Sequence, residues 1–188
     1  MRTFIAIDLS EGIRNYLGRV SQELNKYLSK GDVRWVTPEK IHLTLCFLGE
    51  TENDKLSDIC DIMDESTRQV EPFELMLGAL GCFPNAKRPR VIWVGFQASI
   101  EDLTSLQRGL EEKIVKLGWK AESRTYHPHL TLGRVKNSPA VVRAQLPWEQ
   151  EMSKRRVGVS AIMLYESRLK PSGPEYVLLH TSRLSTNN

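Results

Sequence analysis

Cysteine is scarce: Cys46, Cys60 and Cys82 make an odd set, and no two stand in a CxxC spacing. That excludes a disulfide framework and a zinc knuckle and fits a reducing compartment. No stretch approaches the roughly 20 apolar residues of a membrane span. The apolar opening at 1–8 is too short for a secretory signal and is broken by Asp8. A cytoplasmic protein with no membrane partner is expected. No glycine-rich phosphate loop follows the first predicted strand, so a dinucleotide fold has little support. No HExxH is present, and carboxylates around the histidines at 42 and 129 are sparse. Nor is there a strong excess of one charge: 26 basic residues face 23 acidic ones, for a net charge of +3. A basic pI near 8.8 permits an acidic substrate such as nucleic acid without requiring one.

What is present is ordinary globular composition, 188 residues with 40% apolar and 26% charged side chains. That length suits one domain, 1–188, with two small lobes sharing a core. Thr3 to Leu9 reads as a buried strand. Ser10 can cap a helix whose apolar positions run Ile13, Leu17, Val20, Leu24 and Leu28. Val33 to Val36 follows the turn at Gly31-Asp32, and Ile41 to Leu48 is a second strand. A helix carrying Leu56, Ile59, Met63 and Val70 leads to an extended segment, Phe73 to Phe83, and a basic loop, Pro84 to Pro89. The order then recurs. Val91 to Val94 is a strand, Ser99 is placed to cap a helix with Asp102 completing a capping box, and Gly118 stops it. Another strand starts near His129, two more cover Val157 to Leu164 and Tyr176 to Leu179, and Leu184 to Asn188 reads as a loose tail. The alternation alone suits a parallel sheet. The repetition suggests an internal duplication, with halves at about 1–85 and 86–188.

His42-Leu43-Thr44-Leu45 and His129-Leu130-Thr131-Leu132 are identical and 87 positions apart (129 − 42). Side chains on a strand alternate, so each motif sends its His and Thr to one face and its leucines to the other. Two such strands in similar lobes would bring two imidazoles to opposite sides of one cleft. Imidazole can give and take protons near neutrality. In-line displacement at phosphorus needs a base on the entering oxygen and an acid on the leaving one. The hydroxyls of Thr44 and Thr131 can donate to non-bridging phosphate oxygens. A single His-x-Thr is usually just a polar strand face; the identical pair is harder to explain so. His127 and His129 form an HxH that could bind a metal, a reading weakened by the lack of further ligands nearby.

The paired motifs resemble the signature of the 2H phosphoesterase superfamily, and within it the RNA 2′,3′-cyclic phosphodiesterases, also called 2′-5′ RNA ligases. The resemblance extends to the opening at 2–9, the block at 41–50, the segment Pro89 to Gly95, and the block from Arg124 to Arg134. It implies an α+β, bilobal, duplicated fold: two largely antiparallel sheets around a V-shaped groove, with helices outside. It also implies opening of a terminal 2′,3′-cyclic phosphate to a 2′-phosphate without metal or cofactor. His129 would take the proton of water and His42 would protonate the departing 3′ oxygen. Arg134 resembles the family's phosphate-binding arginine, but strict alternation turns it away from His129 and Thr131. It can reach the site only through a bulge or twist. Tyr126 stands where the family often has phenylalanine and is a candidate platform for the terminal base.

Phe47 falls on the apolar parity of its strand and is assigned to the core, as are Trp35 and Trp93. His180 is assigned a structural role. Arg124, Lys87, Arg88 and Arg90 are candidates for guiding an RNA backbone. Alternatives to a cyclic-phosphate hydrolase are an ATP-independent 2′-5′ RNA ligase, a phosphodiesterase for small cyclic or 2′-5′-linked nucleotides, and a non-catalytic RNA-binding module. A monomer without an obligate protein partner is expected, because each lobe can complete its core against the other.

Overall fold

The computed structural model describes residues 1–97, 99–171 and 173–185. Arg2–Ile7 forms β1, buried along its length after Arg2. Ser10 accepts a hydrogen bond from the Ile13 N–H and opens α1, Glu11–Asn25, whose Ile13, Leu17 and Leu24 face the core. The helix ends at Asn25, short of Leu28, which joins the core from the following turn. β2 (Val33–Trp35), a 3₁₀ turn (Pro38–Lys40) and β3 (Leu43–Glu50) follow. Then come α2 (Leu56–Thr67), β4 (Phe73–Phe83) and β5 (Val91–Phe96). α3 is Glu101–Lys116. The capping box expected at Ser99 is absent: Ile100 occupies the cap position without a side-chain bond, and Ser99 has a left-handed φ of 78°. Gly118 ends α3 as expected, at φ 106°.

The second repeat continues with β6 (Leu130–Val135) and a helix not anticipated from sequence, α4 (Ser138–Ala144), capped by Asn137. The strand expected at Val157 to Leu164 divides into β7 (Arg156–Val159) and β8 (Ala161–Lys170), and β9 spans Gly173–Arg183. The start of the expected loose tail is anchored: Leu184 is buried, and the Ser185 N–H donates to carbonyls of Thr67 and Val70. The rest of that tail, 186–188, lies outside the described residues. No helix among the described residues is long and apolar enough to cross a membrane.

All strand pairs are antiparallel, in the order β7-β4-β5-β6-β3-β1-β8-β9, with β2 on the second edge of β6. The two sheets join at one rung, Leu43 opposite Leu130, into a single curled layer. A pseudo-two-fold axis passes there and relates β3 to β6, β1 to β5, and β8 to β4. The first repeat therefore gives its last strand, β4, to the second repeat's β5, while β8 returns to β1. Neither wing is a continuous half of the chain. A division near residue 85 falls after β4, a strand of the opposite wing. Swapping of the outer strands, rather than side-by-side halves, builds the groove.

Candidate active site

The two His-Leu-Thr-Leu motifs enter β3 and β6 beside the joining rung. Leu43 and Leu130 pair there and are fully buried. Antiparallel geometry then sets His42 across from Thr131 and His129 across from Thr44, all on the face opposite the leucines. These four side chains line one cleft of about 330 Å³. A larger depression of about 620 Å³ between α2 and α3 contains neither histidine and is lined by Glu65, Glu71 and Asp102 among others.

Each imidazole is held the same way. His42 Nδ1–H donates to the Lys40 carbonyl and His129 Nδ1–H to the His127 carbonyl, both at 2.8 Å. A backbone carbonyl can only accept, so Nδ1 carries the hydrogen in both rings and Nε2 is left as the exchanging nitrogen. Ring packing fixes the planes. Phe4 stacks on His42 at 4.9 Å and Tyr176 meets its edge at 5.3 Å. Phe83 meets His129 at 5.0 Å, and Trp93 lies 6.2 Å away. Each such ring contact contributes about 0.5–1.5 kcal/mol beyond area burial.

The electrostatics differ between the halves. Burial lowers the pKa of His42; the Lys40 carbonyl and the negative charge of Asp8 oppose that, and His129 adds to it. Burial also lowers the pKa of His129; the His127 carbonyl opposes that, whereas the His127 ring and Arg134 lower it further. Burial thus lowers both rings, while the nearby charges differ in sign: Asp8 favours the protonated form at His42 and Arg134 the neutral form at His129. Asp8 is itself held in place, accepting from the Tyr165 hydroxyl at 2.7 Å and lying 3.8 Å from Arg14.

Arg134 lines this cleft, and the reason is a bulge. Ile92 pairs with Gly133 and Trp93 with Thr131, so Leu132 is an extra residue in β6. Its counterpart does the same in β3: Ile5 pairs with Cys46 and Ala6 with Thr44, leaving Leu45 extra. The second leucine of each motif is therefore a buried bulge residue that reverses the parity of the residues just after it. Arg134 and Phe47, each three residues beyond the motif threonine, turn into the cleft. Phe47 is consequently not a core residue. It is 59% exposed, with the Arg2 guanidinium 5.1 Å from its ring centre.

A family model described as LigT like Phosphoesterase matches the chain twice, over residues 7–93 and 94–176. The chain belongs to this LigT-like phosphoesterase family. It is 37% identical over 186 residues to the RNA 2′,3′-cyclic phosphodiesterase of Methanothermobacter thermautotrophicus, covering 98% of this chain and 99% of the relative. The protein of the same name from Archaeoglobus fulgidus is 37% identical over 177 residues, covering 94% and 96%. Among solved structures, a Thermus thermophilus protein superposes with a TM-score of 0.83 at 29% identity, and Escherichia coli LigT complexed with 3′-AMP with 0.81 at 26%. Both cover 98% of each chain. The α+β fold expected from the paired motifs is the fold of this LigT-like family.

Tyr126 is not brought to the cleft of this LigT-like site. It packs against the core, and its hydroxyl donates to the Thr44 carbonyl at 3.1 Å. That hydroxyl braces the segment leading to His129 against β3, and burial raises its pKa, keeping the proton on. Trp35 lines the cleft, whereas Trp93 packs beside both His127 and His129. His180 has the structural role expected, linking β9 to Asp64 of α2 at 2.9 Å. Sequence reading missed Arg34 and Lys40, which bring further positive charge to the cleft, and Ser167 and Tyr176 from the β8–β9 hairpin. Only Lys40 had a local signal, its fixed distance from His42. Among the described residues no Asp or Glu lines the cleft, which favours an anionic ligand. Among the described residues no three of His, Cys, Asp and Glu gather as a metal-binding group, and this includes His127 and His129.

Proposed function

We propose that the chain hydrolyses RNA 2′,3′-cyclic phosphate ends to 2′-phosphates, using His129 as general base and His42 as general acid. The observation that carries this reading is the facing pair of imidazoles, each with Nδ1 occupied by a carbonyl and Nε2 left for the substrate. Neutral His129 takes a proton from water as its oxygen attacks phosphorus. The P–O3′ bond breaks on the opposite side, and the Nε2–H of protonated His42 neutralises the departing oxygen. Thr44, Thr131 and Arg134 hold the non-bridging oxygens, whose charge is stabilised better in this half-buried cleft than in water. Phe47, rather than Tyr126, offers an open ring face to the terminal base. The relatives from Methanothermobacter thermautotrophicus and Archaeoglobus fulgidus are named RNA 2′,3′-cyclic phosphodiesterases, which supports this substrate.

The reading extends to a monomer acting on RNA in the cytoplasm. The free thiols of Cys46, Cys60 and Cys82 suit that reducing compartment. The deciding experiment incubates the protein with a cyclic-phosphate-ended oligonucleotide and identifies the product. A 2′-phosphate is expected; a 3′-phosphate product, or no turnover by folded protein, overturns the reading.

A further inference from the structure

We propose that a basic groove beside the cleft is a second RNA-contacting surface, holding the phosphodiester backbone of the strand that leads to the reacting 3′ end. This rests on the proposed function and goes beyond it, because cleavage of the cyclic phosphate alone does not require such a surface. The groove has a volume of about 520 Å³ and lies between the β4–β5 turn and α4. Lys87, Arg88 and Arg90 line it from the turn and Arg143 from α4. No carboxylate lines it, and none of these four cations takes part in an ion pair among the described residues. Some exposed cations elsewhere do pair with acids, as Arg156 with Glu74, Lys170 with Glu175 and Arg168 with Glu166; those four instead converge on one groove without an acid. Arg124, another sequence candidate for the RNA path, lies 3.7 Å from Glu122 and is not part of the groove.

The walls are set in advance. The Asn85 side chain accepts from the N–H groups of Lys87 and Arg88, both at 3.1 Å, which shapes the turn. Asn137 caps α4 and also donates to Asp32 at 2.9 Å, tying that wall to the loop before β2. Four like charges on two fixed walls repel one another unless a polyanion lies between them. The groove also adjoins the chemistry. The Arg90 carbonyl accepts from the Val135 N–H at 2.9 Å, next to the rung that pairs Val91 with Arg134 of the cleft. At the other end of the same turn, Phe83 packs on His129. A strand whose last phosphate sits at Arg134 can therefore pass directly onto the turn. Phosphate contacts of this kind add affinity irrespective of base sequence.

The test compares a mononucleotide 2′,3′-cyclic phosphate with a ten-nucleotide RNA bearing the same terminus, on wild type and on the Lys87→Ala/Arg88→Ala/Arg143→Ala variant. The variant should lose roughly ten-fold in kcat/KM on the oligomer, through KM, and keep its rate on the mononucleotide. The salt dependence of log kcat/KM on the oligomer should flatten by about 2, near 0.7 for each lost phosphate contact on a single strand. Unchanged oligomer kinetics, or equal losses on both substrates, overturns the groove. Turnover of neither substrate by wild type means that the proposed function has failed instead. Binding of a fluorescent 3′-hydroxyl ten-mer then decides the groove: weaker binding by the variant supports it, and equal binding overturns it.

Discussion

The half of the site around His42 and the half around His129 share one backbone device and differ in what surrounds it. Both use His-Leu-Thr-Leu, both orient the ring through the carbonyl two residues back, and both bulge at the second leucine. Beyond that they diverge. The position three residues past the threonine is aromatic in one half, Phe47, and cationic in the other, Arg134. The residue two before the histidine is Lys40 in one and His127 in the other. Asp8 favours a charged ring at His42, while Arg134 disfavours one at His129. A duplicated frame places two identical imidazoles; the residues in its margins set opposite charges beside them, Asp8 near His42 and Arg134 near His129.

The largest expected effect tests whether that difference is functional. His42→Ala and His129→Ala should each lower turnover by roughly 10²–10⁴, the usual span for a general acid or base. A substrate whose leaving 3′ oxygen is replaced by sulfur departs without needing a proton. It should rescue His42→Ala far more than His129→Ala; equal rescue, or rescue of the other variant, would reverse or dissolve the assignment.

Next in size are the threonines, where the halves should behave alike. Thr44→Val and Thr131→Val each remove one hydrogen bond to a charged phosphate, about 1.5–3 kcal/mol, or roughly 10- to 150-fold in kcat/KM. A large effect in only one half would mean that the phosphate sits off the pseudo-two-fold.

The bulged positions should separate the halves again. Phe47→Ala should act mainly on KM, by about 1–3 kcal/mol of lost stacking. Arg134→Ala should alter the pH profile as well as the rate. Both imidazoles are lowered from 6.5, so the bell of kcat/KM should centre on the acid side of that value. Removing Arg134 takes away a charge that lowers the His129 pKa, so the acid limb should move up in pH. An acid limb that stays in place would show that Arg134 does not set the base. The same shifts bear on stability. Each lowered imidazole binds its proton less readily folded than unfolded, so stability is fullest above pH 6.5 and declines as pH falls through it.

The smallest effect is at the brace between the halves. Tyr126→Phe deletes the hydroxyl that reaches the Thr44 carbonyl, and should cost about 0.5–1.5 kcal/mol in a urea melt with only a small change in rate. A strong loss of base preference in this variant would return Tyr126 to the substrate.

The histidines and threonines were legible because their signal is local: an identical tetrapeptide with a period of two. The antiparallel bilobal fold was legible through resemblance, whereas alternation alone pointed to a parallel sheet. The positions of Phe47 and Arg134 were not legible as such, because a bulge is set by the register of two strands. Leu45 looks like an ordinary inward leucine until β1 skips it. α4 carries Pro139 and only one buried residue, Val141, too little for a periodic signal. Tyr126 misled because an aromatic beside a binding motif looks the same whether it faces the ligand or the core.

The exchange of outer strands also governs how the chain can be made. When the first 85 residues have left the ribosome, β4 is complete, but neither of its neighbours, β5 and β7, yet exists. The outer edge of β1 likewise waits for β8, which begins at residue 161. Neither repeat can therefore close as an early folding unit, and an isolated first half would expose both edges of β4 and the outer edge of β1, the condition that favours aggregation. Folding depends on contacts across much of the chain, a topology that slows closure. The rung that brings the two motifs together, Leu43 opposite Leu130, is itself a contact between residues 87 positions apart (130 − 43).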